Sequence, residues 1–159
     1  MVPIFFNYTC SNCGNKFLSP GLPDQAYGLF LIRTVKNEIA FLDSFEDKVF
    51  DELKRLFDQE KVSYIWIDES NWVKIFHLIF SMTCDLSPLG SVYRIGQSPI
   101  CPQCHSHDMA SWIQTNPPQI GEEDLPVVTH EAWNKLSLEE KKATIEKGIQ
   151  EYFDKYIRH

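Results

Sequence analysis

The sequence is short of positive charge and has no long apolar run, and each shortage excludes a class of protein. Fifteen Lys and Arg stand against 22 Asp and Glu, giving a formal charge of −7 and a pI near 5.2. Between Ser98 and Glu122 there is no Lys or Arg at all. A nucleic-acid surface needs several positive charges on one face, so that role is disfavoured. The richest apolar stretch, Trp72 to Met82, is interrupted by Lys74 and His77 and is shorter than the ~20 residues needed to cross a bilayer. The opening MVPIFFNYTCSNC has no Lys or Arg before its short apolar run, unlike a secretory signal. The expectation is a cytoplasmic protein with no membrane partner.

What is present suffices for one core. The chain has 159 residues, the length of an ordinary domain, and its 43% hydrophobic content includes 11 Phe and 4 Trp. Five cysteines are present, four of them in two C-x-x-C pairs: Cys10 with Cys13, and Cys101 with Cys104. In a cytoplasmic setting such pairs favour metal or redox chemistry over disulfides. A C-x-x-C turn lets two sulfurs reach one ion, and two such turns complete the tetrahedral set that zinc prefers. A redox C-x-x-C normally opens a helix after a strand, and neither pair here is followed by a convincing helical pattern.

The second pair and its sequel, CPQCHSHDMASWI, resembles the second knuckle of a zinc ribbon with its following strand. The resemblance implies one structural Zn2+ held by Cys10, Cys13, Cys101 and Cys104, and it names no narrower family. His105 and His107 stand close enough in sequence to replace a cysteine, but four thiolates already satisfy a structural site, and histidine tolerates the left-handed backbone this position needs. Cys84 is expected to be a buried small side chain and His77 a core histidine with a local hydrogen bond. The 87 residues between Cys13 and Cys101 are the unusual feature. Closing a loop near that length has an entropic cost of about 4 to 5 kcal/mol, against about 10 to 16 kcal/mol available from structural zinc. Four thiolates and one divalent cation would take the formal charge from −7 to −9.

The fold class expected is α+β: a split zinc ribbon with an inserted α/β body and C-terminal helices. Residues 1–116 are read as the split-ribbon domain with its insertion at 15–97, and 117–159 as a linker and C-terminal helices packed on the same domain. Phe5 to Cys10 reads as a strand, residues 15–23 as a loop, and Tyr27 to Thr34 with Glu38 to Leu42 as a hairpin. Ser44 is expected to cap an amphipathic helix over 45–59 whose acidic outer face, with Glu46, Asp47, Asp51, Glu52 and Asp58, is simply solvated. Val62 to Ile67 reads as a buried strand, followed by a helix capped by Asp68 or Ser70. Val92 to Ile95 and Met109 to Thr115 read as strands around the second knuckle, and 116–126 as the linker. Thr129 is expected to cap a short helix, and Ser137 with Glu140 a longer one with an apolar stripe of Leu138, Ile145, Ile149, Tyr152, Phe153 and Tyr156. Gly148 weakens that helix by about 1 kcal/mol relative to Ala.

Catalytic signatures are missing. His130-Glu131 begins like a metalloprotease motif, but Asn134 stands where the second histidine belongs. Asp68 and Glu69 occur after a predicted strand as in metal-dependent nucleases, yet no carboxylate-x-Lys follows and helix capping explains them. No G-x-S-x-G, phosphate loop or dinucleotide fingerprint occurs. The leading expectation is a non-catalytic, zinc-stabilised protein-interaction module. Its acidic surface, with Glu122, Glu123 and Asp124 in an exposed loop, would engage a basic partner; an immunity-type inhibitor of a basic toxin is one concrete form. The alternatives are a nucleic-acid-associated adaptor of transcription or replication machinery and an enzyme with structural zinc.

Overall fold

The computed structural model describes residues 1–64 and 66–158 and shows a mixed α and β protein with two three-stranded antiparallel sheets and four helices. The first sheet has the order β2-β1-β6, formed by β1 (Ile4–Cys10), β2 (Lys16–Gly21) and β6 (Met109–Gln114). In β1 the alternation is clean: Phe6, Tyr8 and Cys10 are buried, whereas Asn7 is exposed. The segment expected to be a loop, 15–23, instead supplies β2. Pro20 and Gly21 gave the loop signal, but β2 is an edge strand, where a missing N–H is tolerated. Gly21 also lies so close to the Phe6 ring that a Cβ there would clash with it.

The second sheet, β4-β3-β5, contains the expected hairpin of β3 (Leu29–Arg33) and β4 (Ile39–Asp43), joined through Asn37 with a left-handed backbone at φ 62°. The strand expected at 92–95 is reduced to β5 (Arg94–Ile95), which pairs with Arg33 and Ile32. Helices α1 (Lys48–Lys61), α2 (Glu69–Thr83) and α4 (Leu138–Tyr156) cover this sheet with one continuous core. Leu42, Leu53, Ile75, Ile79, Phe80, Ile145 and Ile149 are fully buried in it, each worth about 1.5 to 3 kcal/mol of transfer free energy. At the α2–α4 crossing Gly148 meets Ile79, and a Cβ at that glycine would lie 2.5 Å from an Ile79 carbon. The residue that weakens α4 is what lets the two helices approach.

Several local expectations are corrected. Asp47, not Ser44, caps α1: its carboxylate accepts from the Phe50 N–H at 2.8 Å, while the Ser44 hydroxyl donates to the Gly28 carbonyl. Phe45 precedes the helix and covers Gly28. The strand expected over 62–67 is absent; Val62–Tyr64 forms a 3-10 turn continuing α1, and Ile65 lies outside the described residues. Val62 is 71% exposed and Trp66 is 66% exposed, so their β-propensity finds no sheet edge to join. Of the two caps expected for α2 the structure takes Asp68 rather than Ser70, and Ser137 with Glu140 forms the capping box of α4, as expected. In that helix Leu138 and Tyr156 prove exposed, leaving the stripe narrower. The short helix α3 (Glu131–Asn134) is not capped by Thr129. Asp85, from beyond the end of α2, accepts the Glu131 and Ala132 amides and the Thr129 hydroxyl.

Residues 116–126 lace the two sheets together. Phe5 N–H donates to the Gln119 carbonyl, Gly121 N–H to Pro3, Leu125 N–H to Met1 and Phe41 N–H to Pro126. Arg33 is a second bridge: almost fully buried in β3, its guanidinium donates to the carbonyls of Pro20 in β2 and Gln97 before the second knuckle.

Candidate metal centre

Both cysteine pairs sit in turns of the same design. In the first, Gly14 N–H donates to the Cys10 carbonyl and Cys10 N–H to the Asn15 carbonyl, each at 2.9 Å; in the second, His105 N–H donates to Cys101 and Cys101 N–H to Ser106, again at 2.9 Å. The residue after each second cysteine is left-handed, Gly14 at φ 74° and His105 at φ 61°. Glycine adopts this conformation freely and histidine with modest strain, which is what His105 does here in place of ligation. Ser11 fastens the turns to each other, donating from both its N–H and its hydroxyl to the Asp108 carbonyl at 2.9 Å.

Pairing of β1 with β6 brings the turns together across the sequence gap. Phe6 to Cys10 runs antiparallel to Gln114 to Met109, with an irregularity between Thr9 and Cys10 where the ladder opens into the knuckles. The Cys10 and Cys104 sulfurs lie 3.5 Å apart, the Cys13 and Cys101 sulfurs 3.6 Å apart, and all four within 4.8 Å of one another. Zinc–sulfur bonds of ~2.3 Å in a tetrahedron imply sulfur–sulfur edges of ~3.8 Å. The four cysteines are therefore placed to hold one metal ion of that size. No disulfide joins them, and Cys10 and Cys101 are buried whereas Cys13 is exposed.

The surroundings favour thiolate, the ligand form, at Cys101 and Cys104. Cys101 loses solvation, which favours the thiol, but the Cys104 and Gln103 amides and the neighbouring sulfurs outweigh this and hold it down to about 6. The side-chain amide of Asn15 adds a contact to the same sulfur at 3.8 Å. Cys104 is lowered chiefly by the Asn12 side chain, then by the Ser106 N–H. At Cys13 the Asn15 N–H favours the thiolate, yet desolvation and the three other sulfurs push the thiol up to about 12. Four like charges cannot gather unaided, and a divalent cation is the natural counter-charge.

Other candidates from the sequence lie elsewhere. His107 Nδ1 sits 3.3 Å from the Ser98 carbonyl oxygen, outside the sulfur cluster. Cys84 donates to the Phe80 carbonyl at 3.4 Å, and burial pushes its thiol up to about 12. His77 packs edge-on against Phe30 and Phe76; among the described residues its ring has no hydrogen-bond partner, contrary to expectation. Glu122, Glu123 and Asp124 are exposed and not part of the four-cysteine group, and Asp124 pairs with the N-terminal ammonium at 2.7 Å. No family model matches the chain, and no curated protein or solved structure matches it.

Two polar clusters escaped the sequence reading because they join distant elements. Asp47 Oδ2 lies 3.0 Å from His130 Nε2, and His130 Nδ1 lies 2.8 Å from the Thr83 carbonyl oxygen, so both ring nitrogens face acceptors, an arrangement that favours the protonated ring. Glu52, expected on a solvated face, accepts from Trp133 Nε1 at 2.9 Å and from Lys141 at 2.8 Å, joining α1 to α3 and α4. Among the described residues no helix is long and apolar enough to cross a membrane.

Proposed function

We propose that the four cysteines hold one structural zinc ion in a split zinc ribbon, and that the protein is a non-catalytic interaction module. The observation that carries the reading is the convergence of four sulfurs from two matched turns within 4.8 Å. Four protein ligands close the zinc shell and leave no position for a substrate or an activated water. The ion's role is then to neutralise thiolates and lock β1 against β6.

The partner proposed is a basic protein. Its attraction comes from the net charge of −7, with Glu122 and Glu123 offered on an exposed loop. Apolar anchors are available on the first sheet: Leu18 and Ile113 flank Asn7 in one cross-strand row and are 50% and 67% exposed. An immunity-type inhibitor that blocks a basic toxin by charge and shape is the concrete form of this proposal. Metal analysis of purified protein should give one zinc per chain. Capture from the native host should recover a stoichiometric basic protein whose binding falls with salt and with Glu122→Lys and Glu123→Lys together. Stoichiometric zinc with turnover of a small molecule and no protein partner would defeat the interaction half of the proposal.

A further inference from the structure

Positive charge is scarce in this chain, yet three cations that make no ion pair among the described residues gather around one cleft. The cleft has a volume of about 470 Å3 and lies between α2, α4 and β5. Helix α2 contributes Lys74, His77 and Leu78, whose i, i+3, i+4 spacing puts them on one face. Helix α4 contributes Tyr152, Lys155 and Tyr156 by the same spacing, and β5 contributes Arg94 and Ile95. No Asp or Glu is among the described residues that line it. The ion pairs among the described residues use other cations, so no described carboxylate lies within ion-pair distance of Lys74, Arg94 or Lys155.

The remaining walls are aromatic and apolar. The Tyr152 and Tyr156 rings lie 4.9 Å apart at a 42° tilt, with Tyr156 57% exposed, and Lys155 sits 5.0 Å over the Tyr156 ring. Burial lowers the His77 pKa, so its ring enters the cleft as a neutral hydrogen-bonding group at pH 7. Leu78 and Ile95 give an apolar floor. The volume falls in the range of small-molecule sites, roughly 300 to 1,000 Å3. Arg94 can bind a phosphate with two parallel N–H bonds while Lys74 and Lys155 add point charges. The exposed tyrosine face suits stacking of a planar ring.

We infer that this cleft is a binding site for a small phosphate ester carrying a planar ring, of the nucleoside monophosphate class. The site is independent of the cysteine centre and of the acidic loop. Its purpose alongside them is ligand recognition by an otherwise acidic protein, with the three cations offsetting the general repulsion of anions.

Calorimetric titration of the zinc-loaded, full-length protein with adenosine monophosphate tests the assignment, with adenosine and inorganic phosphate as separate titrants. The expected result is one nucleotide per chain, with adenosine and phosphate each at least about tenfold weaker because each supplies half of the recognition. Arg94→Ala combined with Lys155→Ala, both on exposed side chains, should weaken the nucleotide by about tenfold or more with an unchanged thermal midpoint. No binding at millimolar nucleotide, equal binding of inorganic phosphate, or undiminished binding by the double variant would each overturn it. Lys142→Ala with Lys147→Ala removes the same charge away from the cleft and should leave the titration unchanged; an equal loss there would reduce the effect to net charge and overturn the site.

Discussion

At the scale of single residues, Asp47 and His130 carry the most consequence outside the cysteines. Asp47 caps α1 with one oxygen and holds His130 with the other. Burial disfavours the charged ring of His130, but the Asp47 carboxylate and the Thr83 carbonyl outweigh it and raise its pKa above the ordinary 6.5. A raised histidine stabilises the fold fully below its unfolded value and loses that contribution as pH rises through the folded value. Asp47 is the mirror case: burial opposes ionisation, the His130 contact and the Phe50 N–H prevail, and its pKa falls below 3.8. Its contribution is present above 3.8 and lost as pH falls through the lower folded value. Denaturant midpoints should therefore decline from about pH 6 upward, and His130→Gln should flatten that limb. An unchanged slope in the variant would remove His130 from the account. Asp47→Ala, which strips a cap and leaves a buried cation unpaired, should cost about 3 to 5 kcal/mol in chemical denaturation.

At the scale of elements, Gly148 sets two opposed effects against each other. Alanine would gain about 1 kcal/mol of helix propensity, but its Cβ would meet Ile79 at 2.5 Å in a fully buried contact. Overpacking costs typically 1 to 3 kcal/mol, so Gly148→Ala should lower stability by about 1 to 2 kcal/mol on balance. A stabilised variant in thermal melting would show that α2 and α4 have room to separate. Local signals in the sequence were enough for both matched cysteine turns and the Ser137–Glu140 box, and narrowed the α2 cap to Asp68 or Ser70, because each is written within a few consecutive residues. Strand β2 was misread since Pro20 and Gly21 mark a loop unless the strand is known to lie at an edge. The 62–67 segment was misread since its strand-forming residues had no edge to join. The Asp85 cap, the Glu52 clamp and the Lys74–Arg94–Lys155 cleft were illegible for a shared reason: each joins residues that only the folded chain brings together.

For the whole molecule, the metal proposal makes the first sheet and the central body parts of one closed circuit. Chain from Cys13 to Cys101 leaves the first turn, builds most of the core and returns to the second. Arg33 and the 116–126 lacing join the same two parts, so loss of metal should loosen the circuit without melting the helical core. Chelation should abolish hydrogen-exchange protection in β1 and β6 while sparing Ile75, Ile79 and Ile149, which are buried in the core cluster of the second sheet and are not part of the four-cysteine group. Uniform loss across the chain would mean that zinc governs the entire fold. Cys84→Ser, outside the cluster, should leave metal content at one per chain.

The central claim is that four sulfurs share one ion. X-ray absorption at the zinc edge on purified protein reads that shell directly. The account predicts four sulfur neighbours at about 2.3 Å and no nitrogen or oxygen in the first shell, with the signal lost in Cys10→Ser combined with Cys101→Ser. A shell containing histidine nitrogen, or protein that binds no zinc while all four thiols titrate freely, would contradict it.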